Sequence, residues 1–409
     1  MPSETIELRG HIVDSLILPK VLDEIIARGS TFKIGEIRIG EQRTDQSFAR
    51  IEVTAPAADE LDQLILRLRQ HGAEVKEKKS VQLAAAPADG VYPQGFYITT
   101  NQQTFIQLDE GEIEVAPALM DSAIVVDPSA RTAQATKFYG VKKGMKVVVG
   151  HQGIRVVPRQ RSTSRTDVFE FMSSSNVSVE KPKSAVIREM AREFQRSREE
   201  RGKILVVGGP AIVHTGAGEH FEKLIEWGFV DLLFAGNALA AHDIEYALFG
   251  TSLGVNLEQG ALSDHGTQNH MRAINAIRGA GGIRQAVASG LLKRGIMYSC
   301  VKNGVDFVLA GSIRDDGPLP DVITDAIEAQ KAMRAKLEGI TIAMMMGTML
   351  HSIAVGNLLP ATVKTVCVDI NPGVVTKLAD RGSFQAVGLV TDIEPFLREL
   401  TGCIEALGR

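Results

Sequence analysis

The residues best suited to binding chemistry lie in one stretch, VLAGSIRDDGPLPDV, which spans residues 308–322. Its apolar start predicts a buried parallel strand that ends at Gly311. The loop behind it carries one hydroxyl and three charged groups, namely Ser312, Arg314, Asp315 and Asp316. Because ligands of open α/β sheets bind just beyond the carboxyl ends of the strands, these groups suit a binding site. Since Asp, Gly and Pro are also ordinary turn residues, a solvated turn is the alternative, and both interpretations stay open.

Two further side chains near this loop are candidates for proton transfer. Lys302 precedes the same strand, and a lysine buried there would act as a base at lowered pKa, although most lysines lie on the surface. His351 follows the strand-end sequence MMMGTML. The histidines form no HExxH motif and no Cys/His cluster, so no metal site is expected.

Glycines end four of the apolar runs in the second half of the chain, at Gly208–Gly209, Gly236, Gly311 and Gly347. Glycine lets a ligand approach the backbone closely, and helices that begin behind such loops present N–H groups to a pyrophosphate. The first loop, GGPAIVHTGAG, matches neither GxGxxG nor the Walker A motif. These strand ends therefore favour a dinucleotide site without a standard fingerprint.

A second nucleotide signal is the segment VCVDINP, residues 366–372. Its apolar run ends in Asp369, whose carboxylate suits the hydroxyls of a ribose. Asp369 and Asn371 also suit the cap of the next helix, and both roles can hold together. The following segment, GSFQAVGLVTD, places Ser383 and Asp392 near the ends of another strand.

Composition narrows the class of protein. The 409 residues are 44% hydrophobic and 23% charged, as in globular proteins of two or three domains. A net charge of −4 offers no basic surface to nucleic acid, and no apolar run is long enough to span a bilayer. The 3 cysteines, an odd number without metal spacing, fit a reducing cytoplasm. We therefore expect a cytoplasmic protein whose partner is a small molecule.

Periodicity divides the chain into modules. Residues 1–82 alternate strands and amphipathic helices in the order βαββα(β), which indicates a ferredoxin-like α+β module with an assembly role. Residues 91–160 hold short strands punctuated by Gly, Asp and Pro, which predict a small all-β module. Residues 184–409 alternate continuous apolar strands with helices, which predicts an α/β, Rossmann-like doubly wound parallel sheet. The serine-rich FMSSSNVSVEKP between the last two is either a linker or a hydroxyl cluster at a cleft.

Several long runs resemble one protein family. They are VLAGSIRDDGPLPDV, AGNALAAHDIE, NHMRAIN, MMMGTMLHSIAVGN and VDINPGVVTKLADRG, with FYITTNQQTFIQL and VKKGMKVVVGHQGIRVVPR nearer the amino terminus. The family is named for the conserved region of lysine-oxoglutarate reductase/saccharopine dehydrogenase, and the resemblance covers essentially the whole chain. Its archaeal members, and the C-terminal part of the cyanobacterial arginine-guanidine-removing enzyme, are NAD-dependent ornithine cyclodeaminases. The family's NAD domain is similar to those of deoxyhypusine synthase and sirtuins, which explains the missing GxGxxG motif.

The resemblance implies conversion of ornithine to proline and ammonia, with a hydride transferred to NAD and then returned. Arg314 would bind the substrate carboxylate, since its planar fork matches that group bidentately. Asp315 or Asp316 would hold an amine or move protons, with Lys302 and His351 as further catalytic candidates. NAD is expected at the strand ends of the last module, at Gly208, Gly209, Pro210, Thr215, Gly216, Gly236, Asn237, Gly311, Ser312, Gly347, Thr348, Asp369, Asn371, Ser383 and Asp392.

Two other functions stay open. An amino-acid dehydrogenase would use the same site but release NADH. A non-catalytic sensor of NAD or of an amino acid would use its ferredoxin-like module for assembly. In each case we expect self-association into a dimer or a tetramer, because the small N-terminal module leaves a sheet face or edge to cover.

Overall fold

The apolar and alternating runs form strands, and the computed structural model divides the chain into two units. The first comprises Met1–Asp167 with Asn357–Ala361, and the second comprises Val168–Gly356 with Thr362–Arg409. The structure describes residues 1–13, 16–40, 45–75, 80–157, 183–252, 255–256, 269–315, 317–380 and 386–408, so the serine-rich segment lies outside the described residues. Within these ranges, no helix has both the length and the apolar character needed to cross a bilayer.

The first unit begins with a module of the predicted ferredoxin-like order. Its elements are β1 (Ser3–Gly10), α1 (Ile17–Ala27), β2 (Thr31–Arg38), β3 (Ser47–Thr54), α2 (Ala58–Gln70) and β4 (Glu74–Val75). They give an antiparallel sheet in the order β2-β3-β1-β4. Ile6, Ile51 and Leu64 are fully buried in the core shared by the strands and both helices. This order leaves β2 at one edge of the sheet.

The remainder of the first unit is rich in short strands. They are β5 (Gln82–Ala85), β6 (Gln103–Leu108), β7 (Gly111–Glu114), β8 (Ala123–Asp127), β9 (Thr132–Thr136), β10 (Lys146–Val149) and β11 (Ile154–Val157), with one 3₁₀ turn at Phe138–Gly140. The strands form the antiparallel sheets β5-β10-β8-β9 and β11-β6-β7. Both sheets contribute to one core, in which Tyr97, Ile106 and Val148 are buried.

The second unit contains a seven-stranded sheet in which every pair of neighbours is parallel. Its strands are β12 (Lys203–Gly208), β13 (Leu232–Gly236), β16 (Asp306–Ala310), β17 (Val322–Ile323), β18 (Ile340–Met346), β19 (Lys364–Asp369) and β20 (Ala386–Val390). Their order is β17-β16-β13-β12-β18-β19-β20. A separate hairpin pairs β14 (Thr251–Ser252) with β15 (Val255–Asn256). The predicted doubly wound sheet is confirmed.

Helices connect these strands and bury their apolar faces. They are α3 (Lys183–Glu199), α4 (Ala211–His214), α5 (Gly218–Glu226), α6 (Asn237–Phe249), α7 (Asn269–Ala280), α8 (Ile283–Ala288), α9 (Ile296–Lys302), α10 (Ala326–Arg334), α11 (Met349–Gly356), α12 (Pro372–Asp380) and α13 (Ile393–Ala406). Phe194, Phe221 and Phe396 pack with strand residues in one core and are almost fully buried. The strands read as continuous apolar runs because side chains on both faces of a parallel sheet are buried.

One buried carboxylate supports the start of α9. Asp243, on α6, is 3% exposed and accepts hydrogen bonds from the backbone N–H groups of Ile296 and Met297, each at 2.8 Å. Burial raises its pKa from 3.8 to about 7; the two N–H groups oppose this shift, and nearby Glu222 adds to it. Folding therefore favours the protonated form of Asp243.

We predict that Asp243 makes stability depend on pH. Because its folded pKa lies above its unfolded value, its contribution to the free energy of unfolding is complete below about pH 4 and is lost as pH rises to about 7. The loss is roughly 1.4 kcal/mol per pH unit across that window. In denaturant titrations across this range, Asp243→Asn should remove the slope, and the exposed control Asp23→Asn should keep it. An unchanged slope in Asp243→Asn would contradict this account.

Candidate functional site

The carboxyl ends of the parallel strands form one edge of the sheet, and the predicted site residues follow them. From β12 the chain passes outward through β13, β16 and β17, and then returns to β18 on the other side of β12. Such a switch point leaves a crevice between adjacent strand ends, here Gly208 of β12 and Met346 of β18. Gly236, Ala310 and Asp369 end their strands on the same edge.

Two glycines pack backbone to backbone beside this crevice. Gly209 N donates a hydrogen bond to Met346 O at 2.8 Å. A Cβ on Gly209 would stand only 1.9 Å from Gly347 O and 2.9 Å from the Cβ of Thr348. Gly347 has a φ of +61°, which L side chains rarely adopt, and a Cβ there would lie 2.8 Å from that of Ala211. Only glycine therefore fits either position.

Several helices begin at this edge. α6 starts at Asn237 directly after Gly236, α11 starts at Met349 and α13 starts at Ile393. Backbone N–H groups at the start of a helix carry partial positive charge and attract anions. The edge thus combines glycine backbone with helix amino termini, an arrangement that suits a pyrophosphate.

The charged loop between β16 and β17 is closed by its own polar side chains. Asp315 Oδ2 accepts a hydrogen bond from Ser312 N at 2.8 Å, and Ser312 Oγ accepts one from Arg314 N at 3.2 Å. Asn237 Oδ1 accepts one from Leu319 N at 3.0 Å, which ties the loop to the start of α6. The turn that the sequence allowed is therefore present, and it leaves Arg314 exposed at the edge.

His351 is the predicted proton-transfer residue that the structure brings to this loop. Its ring lies against Gly236, since a Cβ on that glycine would be 2.8 Å from His351 Cε1. Burial lowers the pKa of His351, and the negative charge of Asp315 opposes that shift. The neutral imidazole is therefore favoured at neutral pH, close to the ends of β13 and β16.

Lys302 is not brought to this edge. It ends α9 and is exposed, and β16 begins only after it. Its position is therefore at the amino end of β16, and Arg314 follows the carboxyl end. Lys302 was a candidate base only if it was buried there, and that condition is not met, because Lys302 is exposed and the apolar length of the strand lies between it and Arg314.

The remaining predicted residues differ in the hydrogen bonds that they form and in their exposure. Asp369 Oδ1 accepts from Asn371 N at 2.8 Å and Asn371 Oδ1 accepts from Gly373 N at 2.9 Å, so the predicted capping role is confirmed. Thr215 Oγ1 donates to the carbonyl of Ala211 at 2.9 Å. Exposed residues of the set are Gly216, Asn371 and Asp392, and Asp316 and Ser383 lie outside the described residues.

A buried polar network on α4 and α6 was not predicted from the sequence. His242 Nδ1 and Glu245 Oε2 are 2.9 Å apart, and Glu245 is fully buried. His214 Nδ1 lies 2.7 Å from Ser252 Oγ, and its ring meets that of His242 edge-on with centroids 4.7 Å apart. Burial, and then the charge of His242, lower the pKa of His214 to about 4.

The sequence contains only one local indication of this network. His242 and Glu245 are three residues apart, so they share one face of a helix. This spacing is not one of the standard metal-binding motifs. The described part of the chain contains no group of three His, Cys, Asp or Glu side chains arranged to hold a metal ion. The network therefore consists of hydrogen bonds between side chains.

A fully parallel, doubly wound sheet with glycines at its switch point defines a Rossmann-type nucleotide-binding protein. The chain belongs to the ArgZ-like family: residues 188–400 match the model for the C-terminal Rossmann fold of arginine dihydrolase ArgZ-like proteins. Residues 103–187 match the first region of the same C-terminal part, and residues 3–102 match the LOR/SDH bifunctional enzyme conserved region. The family resemblance seen in the sequence is confirmed.

Relatives in this family match nearly the whole chain. An ornithine cyclodeaminase of Methanocaldococcus jannaschii is 53% identical, over 98% of this chain and 96% of that protein. The structure is similar to apo ArgZ from cyanobacteria, with a TM-score of 0.86 and 36% identity, over 100% of this chain and 59% of that chain. A ternary complex of Nostoc AgrE with ornithine and NAD+ has a TM-score of 0.54 and 40% identity, over 99% and 59% respectively.

We predict that the crevice does not tolerate a side chain at Gly209. Gly209→Ala should lower the free energy of unfolding by about 1–3 kcal/mol or more, because its Cβ must displace the backbone of Gly347. Gly218→Ala is the matched control: no atom lies within 4 Å of a Cβ there, and alanine suits the start of α5. Thermal unfolding measures both variants. Equal melting temperatures would show that the Gly209–Gly347 contact is not required.

Proposed function

We propose that this protein is an NAD-dependent ornithine cyclodeaminase, which converts L-ornithine to L-proline and ammonia. The observation that carries the proposal is the similarity to proteins of that name, which extends over nearly the whole chain. The AgrE complex adds a relative that holds both ornithine and NAD+. The crevice between β12 and β18 is the part of this chain that would receive the dinucleotide.

The residues at the strand ends fit a dinucleotide. At the carboxyl edge, Gly209 is buried against Gly347 and Thr348, and Gly236 is half-buried against His351. Bound NAD+ would accept a hydride from the substrate and later return it to the cyclic product, so the overall reaction involves no net oxidation. We assign its binding to Gly208, Gly209, Pro210, Thr215, Gly216, Gly236, Asn237, Gly311, Ser312, Gly347, Thr348, Asp369, Asn371 and Asp392. Asp369 ends β19 and is 9% exposed, and its carboxylate suits the ribose hydroxyls.

The charged loop after β16 complements an amino acid with two amines. Arg314 binds the carboxylate of ornithine through its planar guanidinium. Asp315 provides a negative charge for an ammonium group. His351, whose lowered pKa keeps it neutral, accepts a proton from an ammonium that must become a free amine before it attacks carbon.

We also propose that the protein assembles through strand β2. This strand is the edge of its sheet, and Ile34 and Ile37 are 40% and 43% exposed, with Ile39 just beyond it at 61%. A strand edge with exposed apolar side chains is a template for pairing with another strand. A second copy of the chain is the partner that the sequence of β2 fits.

The sequence of β2 is self-complementary in the antiparallel direction. Its register against β3 shifts between Ile34 and Glu36, so that Lys33 and Glu36 share one face while Phe32 and Ile37 share the other. If two copies pair about Ile34, Lys33 stands opposite Glu36 and Phe32 opposite Ile37 on both sides of the axis. Opposite charges and apolar pairs directly across strands stabilise the pairing.

Product analysis tests the proposed reaction. Ornithine incubated with the protein and NAD+ should give proline and ammonia in equal amounts without accumulation of NADH, because the hydride returns to the cyclic product. Mass spectrometry of the products and absorbance of the reduced cofactor measure both. Accumulating NADH would instead identify an amino-acid dehydrogenase, and a complete lack of turnover would favour a non-catalytic sensor.

Variants of the charged loop test the substrate assignment. Arg314→Ala should raise KM for ornithine about tenfold or more, a loss of about 1.4 kcal/mol, because the carboxylate loses its cation. Asp315→Asn should lower kcat and leave NAD+ affinity unchanged. Arg188→Ala, at an exposed position on α3, is the control and should behave as the wild type. Full activity in both loop variants would mean that the loop is only a structural turn.

A lysine on the edge strand tests the assembly. Ile34→Lys places two like charges together at the axis of the paired strands, so it should convert a dimer to monomers at micromolar concentration. Ile26→Lys is the control, since Ile26 is 60% exposed on α1 of the same module. Light scattering coupled to gel filtration measures the mass. A monomeric wild type, or an Ile34→Lys variant that keeps its mass, would exclude assembly through β2.

A further inference from the structure

The polar network on α6 has the layout of a proton-transfer pair. Asn269 Nδ2 donates to Thr251 Oγ1 at 3.0 Å, and Thr251 Oγ1 donates to Glu245 Oε1 at 3.0 Å. The second oxygen of Glu245 lies 2.9 Å from His242 Nδ1. A carboxylate only accepts, so the proton of this bond resides on Nδ1 of His242, and Nε2 of that ring carries the free lone pair. Asn269 and Thr251 orient Glu245 through these hydrogen bonds, and Glu245 orients the ring of His242, which can act as a base.

The network lies behind loops that we assign to the dinucleotide. α6 starts at Asn237, directly after Gly236, and His242 follows about 8 Å along the helix at 1.5 Å per residue. His214 ends α4, which begins directly after Gly209 and Pro210. The network therefore follows two adjacent strand ends of the sheet, those of β12 and β13.

The ring of His242 lies among other titratable side chains and is partly exposed. Its side chain is 14% exposed, so the ring is not sealed in the core. Among the described residues, the titratable groups around it are Glu245 on its own helix, His214 on α4 and His270 on α7, whose ring centroid is 6.4 Å away. Because burial and the charge of His242 lower the pKa of His214 to about 4, His214 stays neutral at neutral pH.

We propose that His242 transfers protons in the cyclodeaminase reaction and that Glu245 is its positioning residue, an inference that rests on the proposed function. Ornithine enters with both amines protonated. The α-ammonium must lose a proton before hydride leaves the α-carbon, and the δ-ammonium must lose one before its nitrogen attacks that carbon. The α-nitrogen leaves as ammonia and is protonated to ammonium. Since singly charged ornithine becomes neutral proline and ammonium, the protons taken up are returned, and a histidine that shuttles them is sufficient.

Kinetics of matched variants test this role. His242→Gln should lower kcat about 10²–10⁴-fold, the usual contribution of a general acid–base group, and Glu245→Gln at least about tenfold. KM for ornithine, NAD+ affinity and melting temperature should stay close to those of the wild type. His220→Gln is the control, because His220 Nε2 and Glu394 Oε1, 3.8 Å apart, form a more exposed His–Glu pair in the same unit. It should keep full activity.

A histidine-selective NMR spectrum of the ring nitrogens gives a readout independent of turnover. The ring ¹⁵N shifts should place the proton of neutral His242 on Nδ1 in the wild type, because Nδ1 donates to Glu245, and Glu245→Gln should lose this preference, since an amide can itself donate to Nδ1. This measurement also decides the matter if His242→Gln does not fold.

The outcomes separate this inference from the proposed function. Unchanged kcat in His242→Gln, with a wild type that makes proline, overturns the proton-transfer role alone. A fall in kcat in Glu245→Gln without a change in the tautomer of His242 makes the pair structural and overturns the positioning role. A wild type that makes no proline from ornithine overturns the proposed function and this inference with it.

Discussion

The contact between Gly209 and Gly347 is the constraint on which the ligand edge of the second unit depends. These glycines follow the two central strands, β12 and β18, at the point where the sheet reverses its order. Their backbones approach so closely that a Cβ on Gly209 would lie 1.9 Å from Gly347 O. α4 and α11 begin directly after the two loops, so the positions of both helices follow from this contact.

Helix α6 shows how one element can carry structural and chemical groups together. Asp243 and Glu245 are two residues apart, which places them about 200° apart around the helix, on opposite sides. Asp243 accepts only from the backbone of α9, and burial raises its pKa to about 7. Glu245 instead bonds to His242 and Thr251. The first carboxylate holds a neighbouring helix in place, and the second orients an imidazole.

Much of the fold could be predicted from the sequence, and the errors have identifiable causes. The long strands of the second unit were predicted to within a few residues, because a strand buried on both faces must be apolar throughout. β17 and the hairpin β14–β15 contain only two-residue strands, which give no periodic signal. Lys302 precedes β16 as the sequence indicates, but its burial depends on tertiary packing, and the structure leaves it exposed. The turn at Asp315 and the cap at Asn371 were among the alternatives that the sequence left open, since such hydrogen bonds are local.

The sequence by itself determined the parallel sheet, the glycines at its strand ends and the family, because apolar runs, glycine spacing and long similar segments are all recorded along the chain. Only the tertiary structure decided which side chains meet. It brought His351 against Gly236, and it joined His214, His242 and Ser252 from three separate segments. It also made Gly35 a β-bulge, so that Lys33 and Glu36 lie on the same face of β2. Such contacts depend on strand order and register across the sheet, which long-range packing sets and local residue patterns do not encode.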